Sequence, residues 1–592
     1  MQFASESYFR KRLEEATAQL ERHQRSVLLN NTYRVVSFLM VFGMFFLLKG
    51  LHMTLAIVVA FLMLIAFVFL VRRSAELVER VAFAKSVIQF LQIQLRTIAG
   101  DNSEVEDGKE YSNPDHDFAY DLDMFGSGSV FQMISRARLR TGKSRLANWL
   151  THNETDPEVI CSRQDAIQEL SENLPWCEEL YAHADVANES DDQLSQLLSW
   201  SKSKLAYQPG TAEAIAAWLV PVYQVAILSA YLLDYLSAGW YTVLLLAPLS
   251  WIGKNIRAIN EAYSQMGDQE GALRYYANMF GHTQKAEFSS SELSKLQQPG
   301  KEASSALLGL SKIMSAFDNR NNMLMGVILN LFLWWDIRCL LKLDRWQQEH
   351  GNAIEGWLNN LGEWEALSSF GVFAYTFAES LHYPNPKKDR LSIQKVGHPL
   401  MLTRKRVDND FSTEYGDFSI ITGANMAGKS TFLRTLGVNM ILAMAGAPVL
   451  AESFSFRPVK LYSSMRTSDS LQSDESYFYN ELKRLKVLID KLESGEERFI
   501  ILDEILKGTN SKDKAEGSFR FVEKLLQYKA SGVVATHDLS LCELENHHRT
   551  RIHNLFFDVE IRNDDLYFDY TLRPGICSNM NATFLMKKMN IV

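Results

Sequence analysis

The stretch FSIITGANMAGKST, Phe418 to Thr431, decides how the C-terminal part of this 592-residue chain folds. Its apolar beginning predicts a buried strand, and the following FLRTLGVNMILAMAG predicts a helix. Between them, the spacing GxxxxGK[ST] is typical of a loop whose backbone N–H groups hold phosphate. A chance match is the alternative, but a strand before the loop and a helix after it argue against chance. We therefore predict a site for ATP and Mg²⁺.

The residue types in the loop suit that chemistry. Gly423 and Gly428 let backbone N–H groups turn towards the β-phosphate, and Lys429 reaches the β and γ oxygens. The Ser430 hydroxyl takes a Mg²⁺ position. The helix that begins there adds the positive end of its dipole.

Two further strands end in polar residues. RFIILDEI is an apolar strand ending in Asp503, predicted to hold Mg²⁺ through its water shell, and Glu504, predicted to polarise the attacking water. SGVVATHDLS is another apolar strand, whose exit carries His537. A strand-end histidine alone indicates little. After a phosphate loop and a paired-acid strand, we predict that His537 touches the γ-phosphate or the lytic water.

These segments resemble the MutS family of mismatch-repair ATPases. GANMAGKST looks like TGPNMGGKST, DEILKGTNSKD like DEIGRGTSTxD, ATHDLSLCEL like ATHYxEL, and SYFYNEL like STFxxEM. GHPL and VDNDF similarly look like the RHPLL and VPND elements before the loop. The resemblance implies that Asn425 and Met426 belong to the nucleotide pocket. It also implies that Ser476 reaches the γ-phosphate of a partner subunit, so that the active unit is a homodimer. The predicted cofactor-binding residues are Gly423, Ala424, Asn425, Met426, Ala427, Gly428, Lys429, Ser430, Thr431 and Ser476.

The resemblance extends upstream but has departures. DLDMFGSGSVFQMISRARLRTGKSRLANWL looks like the start of the MutS helical core, and LGEWEALSSFGVFAY like the end of its lever. We expect no mismatch-reading domain, because the residues before this core contain an apolar hairpin instead. Ala424, Ala427, Leu506 and Lys507 replace the family's Pro, Gly, Gly and Arg. These replacements leave the predicted phosphate and metal ligands in place.

Composition limits the classes of partner. Lys plus Arg total 61 against 70 Asp plus Glu, and the net charge of −9 has the wrong sign for a protein that coats nucleic acid over its whole surface. Any contact with double-stranded DNA must be local. The five cysteines have no CxxC spacing, which argues against a disulfide framework or a zinc site.

Four apolar stretches form two pairs, at 35–48 with 53–71 and at 214–233 with 235–253. Three of them are long enough to span a membrane as a helix, and the first is long enough if Lys49 snorkels. We therefore predict two transmembrane hairpins in contact with lipid; buried core helices are the alternative. Basic residues flank both pairs and place the N-terminus, the body and the ATPase domain on the cytoplasmic side. MGVILNLFLWW is shorter than a span, which favours a core or interface helix.

The predicted architecture is multidomain, combining a helical MutS-type core and lever with a C-terminal α/β P-loop domain. Residues 1–100 hold an N-terminal helix and the first hairpin, and 101–120 form an acidic linker. Residues 121–390 are the core and lever, interrupted by the second hairpin, and 391–592 are the ATPase domain. The basic run at Arg136, Arg138, Arg140, Lys143 and Arg145 is either a phosphate-contact patch or, as we favour, a solvated or lipid-facing surface.

Three functions fit this organisation. The first is a membrane-anchored ATPase whose composite dimer clamps or releases a partner, with DNA bound without mismatch preference as one option. The second is authentic mismatch repair. In the third, ATP drives membrane transport or remodelling, although the apolar stretches carry no charged residue in their interiors.

Overall fold

A computed structural model describes residues 4–50, 53–187, 189, 191–266, 270–466, 477–507, 510–562 and 565–577. Its N-terminal part is helical and its C-terminal part is an α/β domain. The helices of the first part are α1 (Ala4–Leu48), α2 (Met53–Ile98), α3 (Val130–Ile134), α4 (Arg140–Thr151), α5 (Pro157–Glu172), α6 (Leu174–Ala187), α7 (Asp191–Lys202), α8 (Thr211–Leu232), α9 (Ala238–Ser264), α10 (Glu270–Thr283), α11 (Ser291–Gln297), α12 (Gly300–Asp318), α13 (Met323–Leu333), α14 (Trp335–His350) and α15 (Ile354–Thr376).

The C-terminal part alternates strands with helices. Its helices are α16 (Lys429–Met444), α17 (Tyr477–Glu493), α18 (Ser511–Leu525) and α19 (Leu544–His547). Its strands are β1 (Arg390–Val396), β2 (Asn409–Glu414), β3 (Phe418–Thr422), β4 (Ser453–Ser455), β5 (Lys460–Ser464), β6 (Arg498–Asp503), β7 (Ala530–Ala535), β8 (Ile552–Phe557), β9 (Glu560–Arg562), β10 (Asp565–Tyr567) and β11 (Leu572–Pro574). A helical part followed by an α/β domain is the predicted fold class at this coarse level.

Helices α1 and α2 form a long antiparallel hairpin with two different halves. The half next to the body is packed: Phe9 and Phe90 are fully buried, and Arg12 pairs with Glu178 of α6 at 3.0 Å. In the half near the turn, most large apolar side chains are exposed, from Val35 in α1 to Phe69 in α2. A surface this apolar is not that of an ordinary water-facing helix pair.

Helices α8 and α9 form a second hairpin, against which the short helix α13 packs. Gln224 of α8 donates from Nε2 to the backbone carbonyls of Leu245 (3.2 Å) and Leu331 (2.7 Å), so one side chain joins all three helices. The chain turns sharply after α13 because Trp334 adopts a left-handed conformation, with φ 50°. The Trp334 indole then donates to the carbonyl of Pro248 at 3.0 Å.

Three single helices in the described ranges are long and apolar enough to cross a membrane, namely α1, α2 and α8. The chain from Met323 to Thr376 meets the same criterion only as a bent pair, broken by 80° after α13. The predicted span at 235–253 lies in α9, which does not meet it, because α9 begins only at Ala238 and its sequence becomes polar from Lys254 onward. In the second apolar region, only α8 is long and apolar enough to span by itself, and α13 contributes as part of a bent pair. The sequence pattern predicts two full spans here.

The body begins later than the sequence pattern predicts. A helical pattern from Asp121 was expected, yet the first helix after the linker is α3, which starts at Val130. Gly126 and Gly128 have φ of 97° and 73°, values that interrupt a right-handed helix. The side chain of Asp121 is also occupied by contacts with the α/β domain.

The main sheet has the strand order β11-β8-β3-β7-β6-β5, in which all neighbours are parallel except the edge pair β11 and β8. A smaller antiparallel sheet has the order β2-β1-β4. Side chains of β3 alternate between two hydrophobic clusters, with Phe418 and Ile420 in one and Ile421 in the other. The cluster that contains Ile421 continues into the helical part, so both parts share a core.

Asp121 joins the helical part to the edge of the main sheet. Its carboxylate is fully buried and accepts hydrogen bonds from Ser463 Oγ (2.8 Å), from the N–H groups of Met465 (3.2 Å) and Arg466 (3.0 Å), and from the Arg484 guanidinium (3.1 Å). A buried carboxylate with this many donors replaces the water it loses on folding. It thereby fixes the end of β5 directly before the residues that lead into α17.

Asp117 makes a second contact of the same kind. Its carboxylate pairs with Lys491 at 2.5 Å and with Arg498 at 2.8 Å. Burial alone raises the pKa of Asp117, but the hydrogen bonds and charges of Lys491 and Arg498 outweigh burial, so the net pKa is lowered. The predicted linker is therefore part of the interface between the two parts of the chain.

Asp121→Asn tests this junction. The amide keeps the shape but loses the charge that Arg484 and the backbone donors require, at a cost of about 2 kcal/mol. We expect amide hydrogen exchange in 460–466 to become at least about tenfold faster, which is the change this cost predicts.

Asp115→Asn is the matched control, because Asp115 is exposed two residues before Asp117. Exchange in 460–466 should be unchanged in the control. Equal exchange in Asp121→Asn and in the parent protein would show that this carboxylate does not hold the sheet edge.

Candidate functional site

The carboxyl ends of β3, β7 and β6 bring three of the predicted segments together. β3 pairs with β7, and β7 pairs with β6, all in parallel. The residues that follow these strands start at Gly423, Thr536 and Glu504, so the loop, His537 and Glu504 meet at one edge of the sheet. This edge is where ligands bind in open parallel sheets.

The loop from Gly423 to Gly428 has a backbone that only small residues tolerate at its two ends. Gly423 has φ 150°, and a Cβ there would lie 2.8 Å from the carbonyl oxygen of Phe557. Gly428 has φ 103°, and a Cβ there would lie 3.0 Å from the ring of Tyr570. The sequence prediction that both glycines shape the loop therefore has a steric basis in the fold.

Between these glycines the loop presents its middle to solvent. Asn425 and Met426 are exposed, and Met426 has a left-handed φ of 68°. Ala427 is buried, and its N–H bonds the carbonyl of Ala424 at 3.3 Å. Of these four predicted pocket residues, Asn425 and Met426 form the open edge of the loop.

Lys429 begins α16, and its ammonium points back into the loop. Nζ donates to the carbonyls of Gly423 (2.7 Å) and Ala424 (3.0 Å), and it lies 3.4 Å from Nε2 of His537. Burial lowers the Lys429 pKa, although the charges of Asp503 and Glu504 oppose this effect. A phosphate would have to replace two backbone carbonyls as the partner of this ammonium.

The start of α16 supplies further donors. N–H groups in the first turn of a helix have no acceptor within the helix, and they carry its positive dipole end. Ser430 and Thr431 lie in this turn with exposed side chains. An anion placed over the loop would meet backbone N–H groups, two hydroxyl groups and the Lys429 ammonium.

Glu504 follows β6 in a strained conformation, with φ 56°, held by a bond from its N–H to the carbonyl of Ala535 at 2.9 Å. Its carboxylate accepts from Lys514 Nζ at 3.1 Å, and Lys507 Nζ is 3.8 Å away. Burial raises the pKa of Glu504. The hydrogen bond and charge of Lys514, together with Lys507 and His537, lower this pKa by more than burial raises it. The net pKa is lowered, so the carboxylate is ionised at neutral pH.

His537 stands between the lysine and the acid. Burial and the neighbouring Lys429 charge lower its pKa, while Glu504 opposes them. The imidazole is therefore neutral at physiological pH, when one ring nitrogen can donate and the other can accept. Such a group can orient a water molecule or a phosphate oxygen.

The structure also shows which residues could hold a metal ion. No cluster of three or more His, Cys, Asp or Glu side chains with suitable geometry occurs among the residues it describes. Mg²⁺ is commonly bound by one or two protein oxygens together with phosphate and water. Ser430 and Asp503 offer two oxygen ligands, which suits Mg²⁺ bound together with phosphate and water but is too few for a site made of protein ligands alone. Ser476, predicted to act on a partner's nucleotide, lies outside the described residues.

Four residues at this edge were missed by the sequence reasoning. Glu481 of α17 is buried and accepts from the N–H groups of Leu506 (2.5 Å) and Lys507 (3.1 Å), which fixes the loop after Glu504. Burial raises the pKa of Glu481, and the two hydrogen bonds, which lower it, only partly offset this effect. The signal was available, because Glu481 belongs to SYFYNEL. Lys514 carried no comparable signal.

Asn409 and Tyr570 are the other two. Asn409 donates from Nδ2 to the carbonyl of Tyr570 (3.0 Å) and accepts from the N–H of Leu572 (2.7 Å). These two bonds place the Tyr570 ring beside Gly428. Asn409 lies in VDNDF, so this signal was also available, whereas the C-terminal segment that carries Tyr570 has no motif.

The basic run of the helical part does not form a free phosphate patch. Arg136 is buried and donates to Gln94, Thr97 and two carbonyls, and burial lowers its pKa to about 10. The other pairs are Arg138 with Asp185, Lys143 with Glu106, and Arg145 with Glu363, at 2.6, 2.6 and 3.7 Å. This finding differs from both predicted readings, because Arg136 is a core residue and three of the others are paired with acids.

Comparison with known proteins shows what the α/β domain is similar to. Residues 419–588 match the family model "MutS domain V". The human "MutS protein homolog 4" is 30% identical over 204 residues, which cover 33% of this chain and 22% of that protein. "DNA mismatch repair protein MutS" of Thermotoga sp. (strain RQ2) is 28% identical over 236 residues (39% and 29%), and that of Thermus aquaticus 32% over 193 residues (32% and 23%). The matched region spans less than a third of each relative.

Proposed function

The C-terminal domain of this chain is related to the MutS family, and on that premise we propose that the protein is a membrane-anchored ATPase. In this proposal it binds and hydrolyses ATP with Mg²⁺ in a composite homodimer, and the nucleotide state controls the grip on a partner. The observation that carries the proposal is the meeting of the loop 423–428, Lys429, Glu504 and His537 at one edge of a parallel sheet.

The residues present fit a nucleotide triphosphate. The two glycines allow the backbone turns of the loop, the first turn of α16 offers N–H groups, and Lys429 supplies the charge. Ser430 and Asp503 would hold Mg²⁺, which neutralises phosphate charge and orients the leaving group. Glu504 is the group that would orient water, and His537 the group that would contact water or the γ-phosphate.

In this structure, Lys429 and Glu504 are both hydrogen-bonded to other groups of the protein. Lys429 bonds carbonyls of its own loop, and Glu504 bonds Lys514. Both contacts must be exchanged before Lys429 can reach phosphate and Glu504 can reach water. We propose that Lys514 holds Glu504 back until nucleotide binds, which would limit hydrolysis without a bound partner.

Membrane anchoring rests on the exposed apolar surface. Large apolar side chains are exposed along the distal half of the first hairpin and along α8 and α13. Burying this surface in lipid avoids the cost of exposing it to water. We therefore propose that α1, α2 and α8 span the bilayer, with α9 and the bent α13 completing the second membrane region.

Coupling between the nucleotide and the membrane part is proposed to pass through Asp121. This carboxylate accepts a hydrogen bond from Arg484 of α17 at 3.1 Å, and Glu481 of the same helix holds the loop after Glu504. A change at the nucleotide would thus have a continuous path of hydrogen bonds to the helical body.

DNA is the second candidate partner, favoured by the names of the relatives. In this proposal DNA binding is indifferent to mismatches, because residues 4–98 form two long helices with an apolar distal half. An ATP-driven transporter is the weaker alternative, since the apolar segments carry no charged residue in their interiors.

Glu504→Gln tests the proposed water-orienting role. Loss of the carboxylate should lower ATP turnover about 10²-fold or more and leave ATP binding intact. Lys429→Ala should weaken ATP binding itself, because its ammonium neutralises phosphate in the ground state. Turnover and equilibrium binding of labelled ATP are the two measurements.

Glu516→Gln, at an exposed position of α18, is the control and should leave both quantities unchanged. Hydrolysis by Glu504→Gln at the rate of the parent protein would remove Glu504 from its proposed role.

Lys514→Gln tests the restraint on Glu504 through pH. Lys514 contributes to the lowered pKa of Glu504, so its removal should move that pKa upward. We expect the acid limb of the pH–rate profile for ATP hydrolysis to shift to higher pH, because protonated Glu504 cannot orient water. Lys512→Gln on the same helix is exposed and serves as the control. An unmoved acid limb in Lys514→Gln would contradict the pairing.

Cysteine labelling tests the membrane topology. In a Cys161→Ser background, a cysteine at Gly50 or at Tyr235, which is 81% exposed, should react with an impermeant thiol reagent on intact cells. A cysteine at Ser103 or at Lys512 should react only after the cells are opened. Labelling of all four positions in intact cells, or of none, would contradict the proposed anchoring.

Duplex binding distinguishes the mismatch-repair alternative. We expect the detergent-solubilised protein to bind mismatched and perfectly paired duplexes within about threefold of each other, below roughly 1 kcal/mol. Binding to either duplex should weaken steeply with salt if it rests on phosphate contacts. A hundredfold preference for the mismatch would establish the mismatch-repair reading instead.

A further inference from the structure

A basic groove lies at the foot of the second apolar region, away from the nucleotide site. It has a volume of about 360 Å³ and is formed by α8, α12 and α14. Its lining contains four cationic side chains and no acidic one; the cations are Lys312, Arg338, Lys342 and Arg345. None of the functions assigned above uses this groove.

Arg338 is built into the groove through a helix defect. Pro221 in α8 has no N–H, so the carbonyl of Ala217 loses its normal helical partner. The Arg338 guanidinium replaces it, donating from Nε at 3.1 Å and from Nη2 at 2.7 Å to that carbonyl. The same guanidinium lies over the ring of Trp218, with its carbon 5.1 Å from the ring centroid. Arg338 is therefore held in place by neutral groups and keeps its charge uncompensated by them.

The other three cations have no recorded acidic partner within the part of the chain that the structure describes. Lys312, Lys342 and Arg345 are exposed at the rim. Acids of the same helices are engaged elsewhere: Glu213 of α8 accepts from Gly210 N–H and the Trp251 indole, while in α14 Asp336 pairs with Arg320 and Asp344 accepts from two glutamines. Four cations facing one small concavity therefore favour an anion as its occupant.

The groove lies where the apolar surface of α8 begins. Ala214 and Trp218 belong to the first two turns of α8, and Trp218 is 76% exposed. Beyond them Leu219, Val222 and Val225 are also exposed. Trp at a polar–apolar boundary is typical of a membrane interface, and clustered basic residues there meet anionic headgroups.

We propose that this groove binds the phosphate headgroup of an anionic phospholipid, whose acyl chains continue along α8. The proposal rests on the proposed membrane insertion of α8 but not on ATP hydrolysis. Lipid is favoured over DNA because the anion site opens onto exposed apolar side chains, which a polar duplex would leave unburied. In this role the lipid would seal the Pro221 defect from outside and tie α14, and with it the helical body, to the membrane surface.

The experiment compares lipid retention by the full chain in neutral detergent. The protein is incubated with equal amounts of phosphatidylglycerol and phosphatidylcholine of matched acyl chains, and bound lipid is counted by native mass spectrometry. The parent protein should retain phosphatidylglycerol preferentially. The variant Lys342→Gln/Arg345→Gln, which leaves Arg338 and its carbonyl bond intact, should bind phosphatidylglycerol about tenfold more weakly and phosphatidylcholine unchanged.

The control Lys295→Gln/Lys301→Gln removes the same charge at exposed positions outside the groove and should match the parent protein. Resistance of each variant to alkaline carbonate extraction from membranes reports insertion separately, so failure of anchoring is distinguishable from failure of lipid binding. Equal retention of the two lipids, or no effect of the groove variant, would overturn the proposal. Displacement of phosphatidylglycerol by inorganic phosphate alone, or by a duplex oligonucleotide, would overturn it in favour of a free-anion or a DNA site.

Discussion

The buried carboxylate of Asp121 is the contact on which the relation between the two parts of this protein depends. It satisfies two backbone N–H groups, a hydroxyl and a guanidinium that all belong to the edge of the main sheet or to α17. Removing water from these donors without a charged acceptor would be costly. The acid therefore specifies how β5 ends and binds Arg484 of α17, and α17 in turn carries Glu481, which accepts from the loop after Glu504.

Charged groups at the predicted nucleotide site are also hydrogen-bonded within the protein. Lys429 and Glu504 each find an internal partner, in loop carbonyls and in Lys514, so neither charge is left unpaired in the described arrangement. Loop carbonyls are a weaker match than phosphate for the Lys429 ammonium, whereas Lys514 is a strong partner for Glu504 and would have to be drawn away by the phosphates. An incoming triphosphate with Mg²⁺ would replace these internal partners, and the exchange offers a physical reason why binding at this edge would alter the contacts that lead to the helical body.

Features that depend on residues close together in the sequence could be predicted, whereas features that depend on distant residues could not. The strand, glycine loop and helix at 418–444 are local, and the sequence pattern predicts them from turn chemistry and apolar periodicity. The grouping of His537 with Glu504 and the loop needed only the rule that parallel strands end at the same edge. Lys514, Tyr570 and the Asp121 contacts could not be predicted, because they depend on packing between segments far apart in the chain. The bend between α13 and α14 is also tertiary, since the Trp334 indole there donates to the carbonyl of Pro248 in α9.

The most direct test of the account is amide hydrogen exchange of the full chain in detergent, with and without Mg²⁺ and a non-hydrolysable ATP analogue. We predict slower exchange in 423–431, where the phosphates would bind, together with altered exchange in 117–124 and 460–466, where the helical body meets the sheet. Unchanged exchange in 423–431 at saturating analogue would contradict the nucleotide site. A change confined to 423–431 would contradict the coupling through Asp121.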